Sequence, residues 1–181
     1  MSDDHHSHDV STVGTAVLTV SSTRTLETDA GGDAVVAALE AAGHTVVARD
    51  LVTDDEQAIR ARVEQFVSRE DVSAVVTTGG TGLTPDDVTV EAVRALFDRG
   101  MPGFGERFRA RSVDDVGPRA MLSRATAGVS DGVVIFSLPG SEGGARFGTS
   151  ELIAPVLGHA VGLLGNEHTH SHGHHEGDDH E

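Results

Sequence analysis

The segment Thr77-Thr78-Gly79-Gly80-Thr81-Gly82-Leu83-Thr84-Pro85-Asp86-Asp87-Val88-Thr89 concentrates the residue types in this chain that could do chemistry. Three glycines within four positions let a backbone turn sharply and bring N–H groups close to a ligand. A helix beginning just beyond them points its positive end at the same place, which suits an anion. Asp86 and Asp87 would repel that anion unless a divalent cation lay between, so the pattern suggests metal-bridged phosphate binding. A helix-capping loop, with glycines only for tight packing, is the alternative reading.

Histidine is the second reactive type. His5, His6 and His8 lie in residues 1–12, and residues 166–181 read NEHTHSHGHHEGDDHE. Within the latter, His168, His170, His172, His174 and His175 alternate with small or acidic residues, a composition that suits Zn²⁺, Ni²⁺ or Cu²⁺. A solvated polar tail explains them equally well. Neither run has apolar periodicity, so both are expected to be disordered tails flanking one domain at 13–165.

Other chemistries are excluded. There is no cysteine, hence no disulfide and no thiolate. All thirteen basic residues are arginine, so neither a P-loop lysine nor a Schiff-base lysine exists. Against them stand 29 acidic residues, for a net charge of −16. Such a surface grips neither nucleic acid nor anionic membrane. It does suit a salty cytoplasm, as in a halophilic archaeon, where screening shrinks to about 3 Å in molar salt. No stretch approaches the ~18 to 20 continuous apolar residues of a membrane span. The start, MSDDHHSHDV, is unlike a signal peptide, and a cytoplasmic location is expected.

The elements that must position the loop follow from periodicity. TAVLTV (15–20) reads as a buried strand, and Asp29 or a neighbour caps a helix carrying Val35, Val36 and Leu39, which ends at Gly43. HTVVARDLV is a second strand. Asp54 or Asp55 caps a helix to about Ser68, with Ile59, Val63, Phe66 and Val67 on one side. SAVVTT runs as a third strand into the glycine loop, and VTVEAVRALFDRG follows as a helix closed by Gly100. RATAGVSDGVVIFSL is a hairpin across Asp131-Gly132. A last helix spans roughly 147–164, with Pro155 a kink point. This alternation predicts an open, mostly parallel α/β sheet with helices on both faces, its ligand at the carboxyl ends of the strands.

TTGGTGLTPDDVTVEAV resembles the signature of the MoaB/MogA family of molybdenum cofactor proteins, a TGGTG followed by D-V-T-x-E-A. MPGFGERFR (101–109), LSRATAG (122–128), SLPGS (137–141), VSSTR (20–24) and DEQAI (55–59) resemble its other blocks in order, covering about 13–165. Departures are Val90 where relatives usually carry Pro, SSTR where S-D-R is sometimes seen, and EGGARFG after SLPGS, where Arg146 would supply a basic charge.

The resemblance implies a three-layer α/β domain assembling as a homotrimer or hexamer. It also implies an enzyme, a molybdopterin adenylyltransferase that moves AMP from Mg²⁺-ATP to the phosphate of its substrate molybdopterin and releases pyrophosphate. Asp87 and Asp55 match the family's catalytic carboxylates, Asp87 holding Mg²⁺ through the nucleotide; a simple helix cap is the alternative for Asp55. Thr78, Gly79, Gly80, Thr81 and Gly82 would cradle nucleotide or pterin phosphate, with Ser137, Pro139, Gly140 and Ser141 as a second wall. Ser21, Ser22 and Asp29 are weaker candidates. Glu91 is either a ligand or a surface acid, and Phe104 either packs or contacts ligand or subunit. Arg107, Arg109, Arg111 and Arg124 read as surface cations or salt-bridge partners, or one of them neutralises pyrophosphate. The competing function is a non-catalytic molybdopterin-binding or metal-buffering protein of the same fold. Domains of the molybdate-insertion or competence-damage type usually carry further modules, for which this chain has no room.

Overall fold

A computed structural model describes residues 9–165; the histidine runs at 1–8 and 166–181, including His5, His6, His8 and all candidate metal ligands from His168 to His175, lie outside the described residues. Six strands form one sheet in the order β2-β1-β3-β6-β5-β4. β1 (Gly14–Val20), β2 (Thr45–Val52), β3 (Ala74–Thr78) and β6 (Val133–Leu138) run parallel. β5 (Thr126–Ser130) pairs antiparallel with both β6 and the two-residue β4 (Arg99–Gly100). The mostly parallel three-layer sheet expected from the sequence is the fold observed.

Alternation along the strands sorts side chains into two cores. Val17, Ala74, Val76, Val134, Phe136 and Leu138 face α1 (Ala30–Ala41), α4 (Pro102–Val116), α5 (Glu142–Phe147) and α6 (Ala154–Gly165), burying Val35, Leu39, Phe104, Phe108, Ala145, Ile153 and Leu157. Ala16, Leu18, Val20, Val75 and Ile135 face α2 (Glu56–Val67) and α3 (Thr89–Arg94), burying Ile59, Val63, Phe66, Ala92 and Val93. Phe104, expected either to pack or to touch ligand, packs edge-on against Phe136 with centroids 5.1 Å apart.

Four expectations change. The helix expected over 88–100 is only Thr89–Arg94, because Asp98 N–H and Met101 N–H bond to the carbonyls of Val129 and Ala127 and draw Arg99–Gly100 into the sheet as an edge strand. The segment at 102–116, read only as a motif, is a full helix with Pro102 in its first turn, where a missing N–H costs nothing. The last helix begins at Glu142, capped by Ser141, and a π-helical turn at Gly148–Ile153 precedes Pro155, loosening the backbone where proline would clash with a carbonyl four residues earlier. Residues 9–12, expected within the tail, are tied to α6: Val10 N–H donates to Gly158 O at 3.1 Å. By length and composition Glu142–Gly165 could cross a membrane, yet Ala145, Ile153 and Leu157 are fully buried against the sheet.

Candidate active site

From β1 the chain steps outward to β2 and then returns across β1 to β3 on its other side, so the crevice at the carboxyl ends of β1 and β3 is the topological switch point of the sheet. The glycine loop sits there. Gly79 has φ +106°, and a Cβ on it would lie 2.2 Å from Val20 O; Gly80 has φ +68°, and its Cβ would lie 2.2 Å from the Thr89 hydroxyl. Only glycine permits both the left-handed turn and this approach. Thr89 locks the turn from the start of α3: its hydroxyl donates to Gly79 O at 2.8 Å and its N–H to Gly80 O at 3.1 Å. The segment is thereby anchored at both ends.

Asp87 closes the loop on itself. Its Oδ2 accepts from Thr84 N–H at 2.8 Å and from the Thr84 hydroxyl at 2.7 Å. Partial burial by itself would raise the Asp87 carboxyl, but the Thr84 bonds, the Gly82 N–H and the nearby Arg124 charge outweigh it and hold it below the usual carboxylate range. The carboxylate is therefore ionised at neutral pH. Behind it Arg124 spans the whole motif: its guanidinium donates to Gly82 O, Asp87 O and both Glu91 carboxylate oxygens, while its backbone N–H donates to Thr81 O. The Arg124 hydrogen bond is also the main reason Glu91 sits below its ordinary carboxyl range. Arg124 and Glu91 thus brace the loop, and Arg109 is spent on the carbonyls of Ser123 and Ala125.

The other expected residues divide into rim and foundation. Pro139 and Gly140 stand beside the loop, joined to it by the Thr78 hydroxyl donating to Pro139 O at 2.9 Å and by Gly79 N–H donating to Leu138 O at 2.9 Å. Ser141 caps α5, accepting from Gly144 N–H. Pro139 and Ser141 also border a groove of about 750 Å³ that extends over Phe108, Ser112, Arg119 and Phe147. Ser137 lies beneath the crevice, fully buried, its hydroxyl accepting from Thr77 at 2.8 Å. Asp29 is likewise foundation: at 0% exposure it caps α1 through Gly32 N–H and accepts from the Thr19 hydroxyl and from Arg49 at 3.0 Å. Burial would raise its carboxyl, but these three partners together hold it below the ordinary value. Asp55 is exposed and caps α2 through Oδ1. Its neighbour Asp54 exchanges bonds with Ser22, coupling the loops after β1 and β2.

Residues 11–159 match the family described as "Probable molybdopterin binding domain", MoCF_biosynth. Molybdenum cofactor biosynthesis protein B of Bacillus anthracis is 48% identical over 144 residues, 79% of this chain and 85% of that one. The chain belongs to this molybdenum cofactor biosynthesis family. The protein of the same name from Halalkalibacterium halodurans is 42% identical over 160 residues, spanning 88% of this chain and 94% of that one. A crystal structure of molybdenum cofactor biosynthesis protein B superposes with a TM-score of 0.83 at 45% identity, covering 85% of this chain and 96% of that one. The tungsten cofactor synthesizing protein MoaB from Pyrococcus furiosus follows with 0.75 at 35%, covering 84% and 97%.

Within this family member the structure adds one crevice residue that sequence reading passed over. Arg24, in the loop after β1, donates from Nη1 to Gly140 O at 2.9 Å and so places a half-buried guanidinium between that loop and the second wall. The VSSTR block contained it, but only the crossing of 116 positions to Gly140 shows where it goes.

Proposed function

We propose that the protein is a molybdopterin adenylyltransferase. The observation carrying this reading is the ionised Asp87 carboxylate, clamped by Thr84 beside a left-handed glycine turn at the switch point of the sheet. Mg²⁺ fits the donor set: Asp87 is an ionised carboxylate beside the glycine turn, and Mg²⁺ typically takes one or two carboxylates plus substrate phosphates. Asp87 would hold it through the nucleotide, with Asp55 from the loop after β2 as the second carboxylate of this reading. When bound with ATP it would neutralise charge developing on the phosphates.

The chain's own groups supply position. The Gly79–Gly82 backbone receives phosphate oxygens, and Arg24 offers a positive charge at the opposite wall. The groove beyond Pro139 and Ser141 accepts the second substrate. A phosphate oxygen of molybdopterin attacks the α-phosphorus of ATP, the bond to the β-phosphate oxygen breaks, and pyrophosphate leaves. Holding the two anionic reactants in line is the main contribution such a site makes. Exposed Val113, Val116, Met121 and Leu122 offer an apolar surface for the homotrimer or hexamer that belongs to this reading. A salty cytoplasm, as in a halophilic archaeon, likewise belongs to it.

The test is Mg²⁺-ATP-dependent AMP transfer to molybdopterin in molar KCl, comparing the native chain with Asp87→Asn. Asparagine keeps an oxygen for the two Thr84 donors, and a melting temperature equal to that of the native chain will show that the loop holds. Adenylated molybdopterin and pyrophosphate from the native protein, lost in the variant with molybdopterin binding retained, support the reading. Molybdopterin binding without any product overturns it in favour of a non-catalytic carrier of the same fold.

A further inference from the structure

Asp115 stands where a helix has no use for a carboxylate. It lies in the last turn of α4, the end at which the helix dipole favours cations, and no basic residue stands in that turn. Among the described residues its side chain makes no hydrogen bond or ion pair, and neither does that of Arg119 just beyond the helix. Both side chains border the groove beside Pro139.

The groove suits a flat ring. The chain has six phenylalanines and neither tryptophan nor tyrosine, yet Phe108 and Phe147 both stand in this one wall, their centroids 5.8 Å apart. Phe147 is only half-buried, so part of its ring is open to a ligand. The volume of about 750 Å³ is that of a small-molecule site. The groove also meets the glycine loop twice. Pro139 O accepts from the Thr78 hydroxyl at 2.9 Å, and Ser123, on the groove's border, precedes Arg124, whose N–H donates to Thr81 O at 2.9 Å. A ring held in the groove can thus place a phosphate tail at the loop.

Hydrogen-bonding edges decide which ring. A pterin carries a 2-amino-4-oxopyrimidine edge, an acceptor oxygen followed by two adjacent donors. A carboxylate accepts from both donors at once, and a guanidinium donates to the oxygen. Adenine presents one donor beside one acceptor, so a carboxylate facing it sets lone pair against lone pair. We propose that Asp115 and Arg119 read the pterin edge of molybdopterin and exclude adenine from the groove, leaving ATP to the glycine loop. The inference rests on molybdopterin being the substrate of this site, and it names the residues that select it.

The test is equilibrium dialysis of molybdopterin against the full chain without ATP, under anaerobic conditions, with 6-hydroxymethylpterin and adenosine as competitors. The pterin should displace molybdopterin at a roughly 10- to 100-fold lower concentration than adenosine, the discrimination of one bidentate pair. Asp115→Asn offers one donor and one acceptor, the pattern that pairs with adenine. It should bind molybdopterin about tenfold more weakly and shift the competition toward adenosine, which a merely structural role would not do. Its melting temperature should hold or rise, since the helix end loses a negative charge. Native selectivity retained in Asp115→Asn, or equal competition by the two probes in the native chain, would overturn the inference even if AMP transfer proceeds. Selective pterin binding without AMP transfer would sink the transferase reading alone and leave this one standing.

Discussion

Replacing Asp29 by alanine removes the residue on which the crevice rests. Three losses follow from its contacts. The Gly32 N–H at the start of α1 loses its cap, worth about 1 kcal/mol. The Thr19 hydroxyl, fully buried, loses its acceptor, at about 1 to 3 kcal/mol. Arg49 loses one carboxylate but stays paired with Asp33 at 2.7 Å, so its charge is not left unpartnered and its share is small. Together the destabilisation is about 3 kcal/mol, which for a chain of this size lowers Tm by roughly 6 to 12 °C. Urea unfolding followed by far-ultraviolet circular dichroism, at fixed salt and pH 7, measures it. The pH dependence has a definite sign. Because folding lowers the Asp29 carboxyl below its unfolded value, its contribution is complete above the unfolded pKa of about 4 and vanishes as pH falls through the folded value. The gap between native and variant must therefore shrink in acid. A loss below about 1 kcal/mol at pH 7, or a gap that widens below pH 4, would refute the reasoning.

Gly79→Ala forces a methyl group toward Val20 O at a φ of +106°, so the variant is expected to lose more than about 2 kcal/mol in the same unfolding assay, well beyond the usual Gly-to-Ala change. Asp55→Asn separates two roles: asparagine caps α2 as well as aspartate, so Tm holds, while AMP transfer falls if the second carboxylate oxygen works on the nucleotide. With a net charge of −16, raising KCl from 0.1 to 1 M shortens the screening length from about 10 to 3 Å and should raise Tm; a flat or falling Tm would disprove the self-repulsion on which the salt reading stands.

The strands, the first two helices and the glycine loop were legible in the sequence because their signals are local. Valine-rich runs, Asp29 and Asp55 as caps, and Asp131-Gly132 as a hairpin turn with φ of +46° and +76° each depend on neighbours a few positions away. The family resemblance rested on the same blocks, and the glycine loop stands at the carboxyl end of a strand, as the alternation required. Tertiary structure alone decided which polar groups face the crevice and which support it. Asp29 and Ser137 look like site residues in sequence, yet they are buried beneath the floor, because the pairing of β2 beside β1 and of β6 beside β3 supplies Arg49 and Thr77 as their partners. The helix over 88–100 stopped early for a similar reason: pairing with β5 offered the backbone more than continued helix did. Arg24 reached Gly140, and Asp9 reached His159, across 116 and 150 positions. Periodicity reports the near environment of a residue; which distant side chain completes a hydrogen bond depends on how the layers stack, and that is settled only when the whole chain packs.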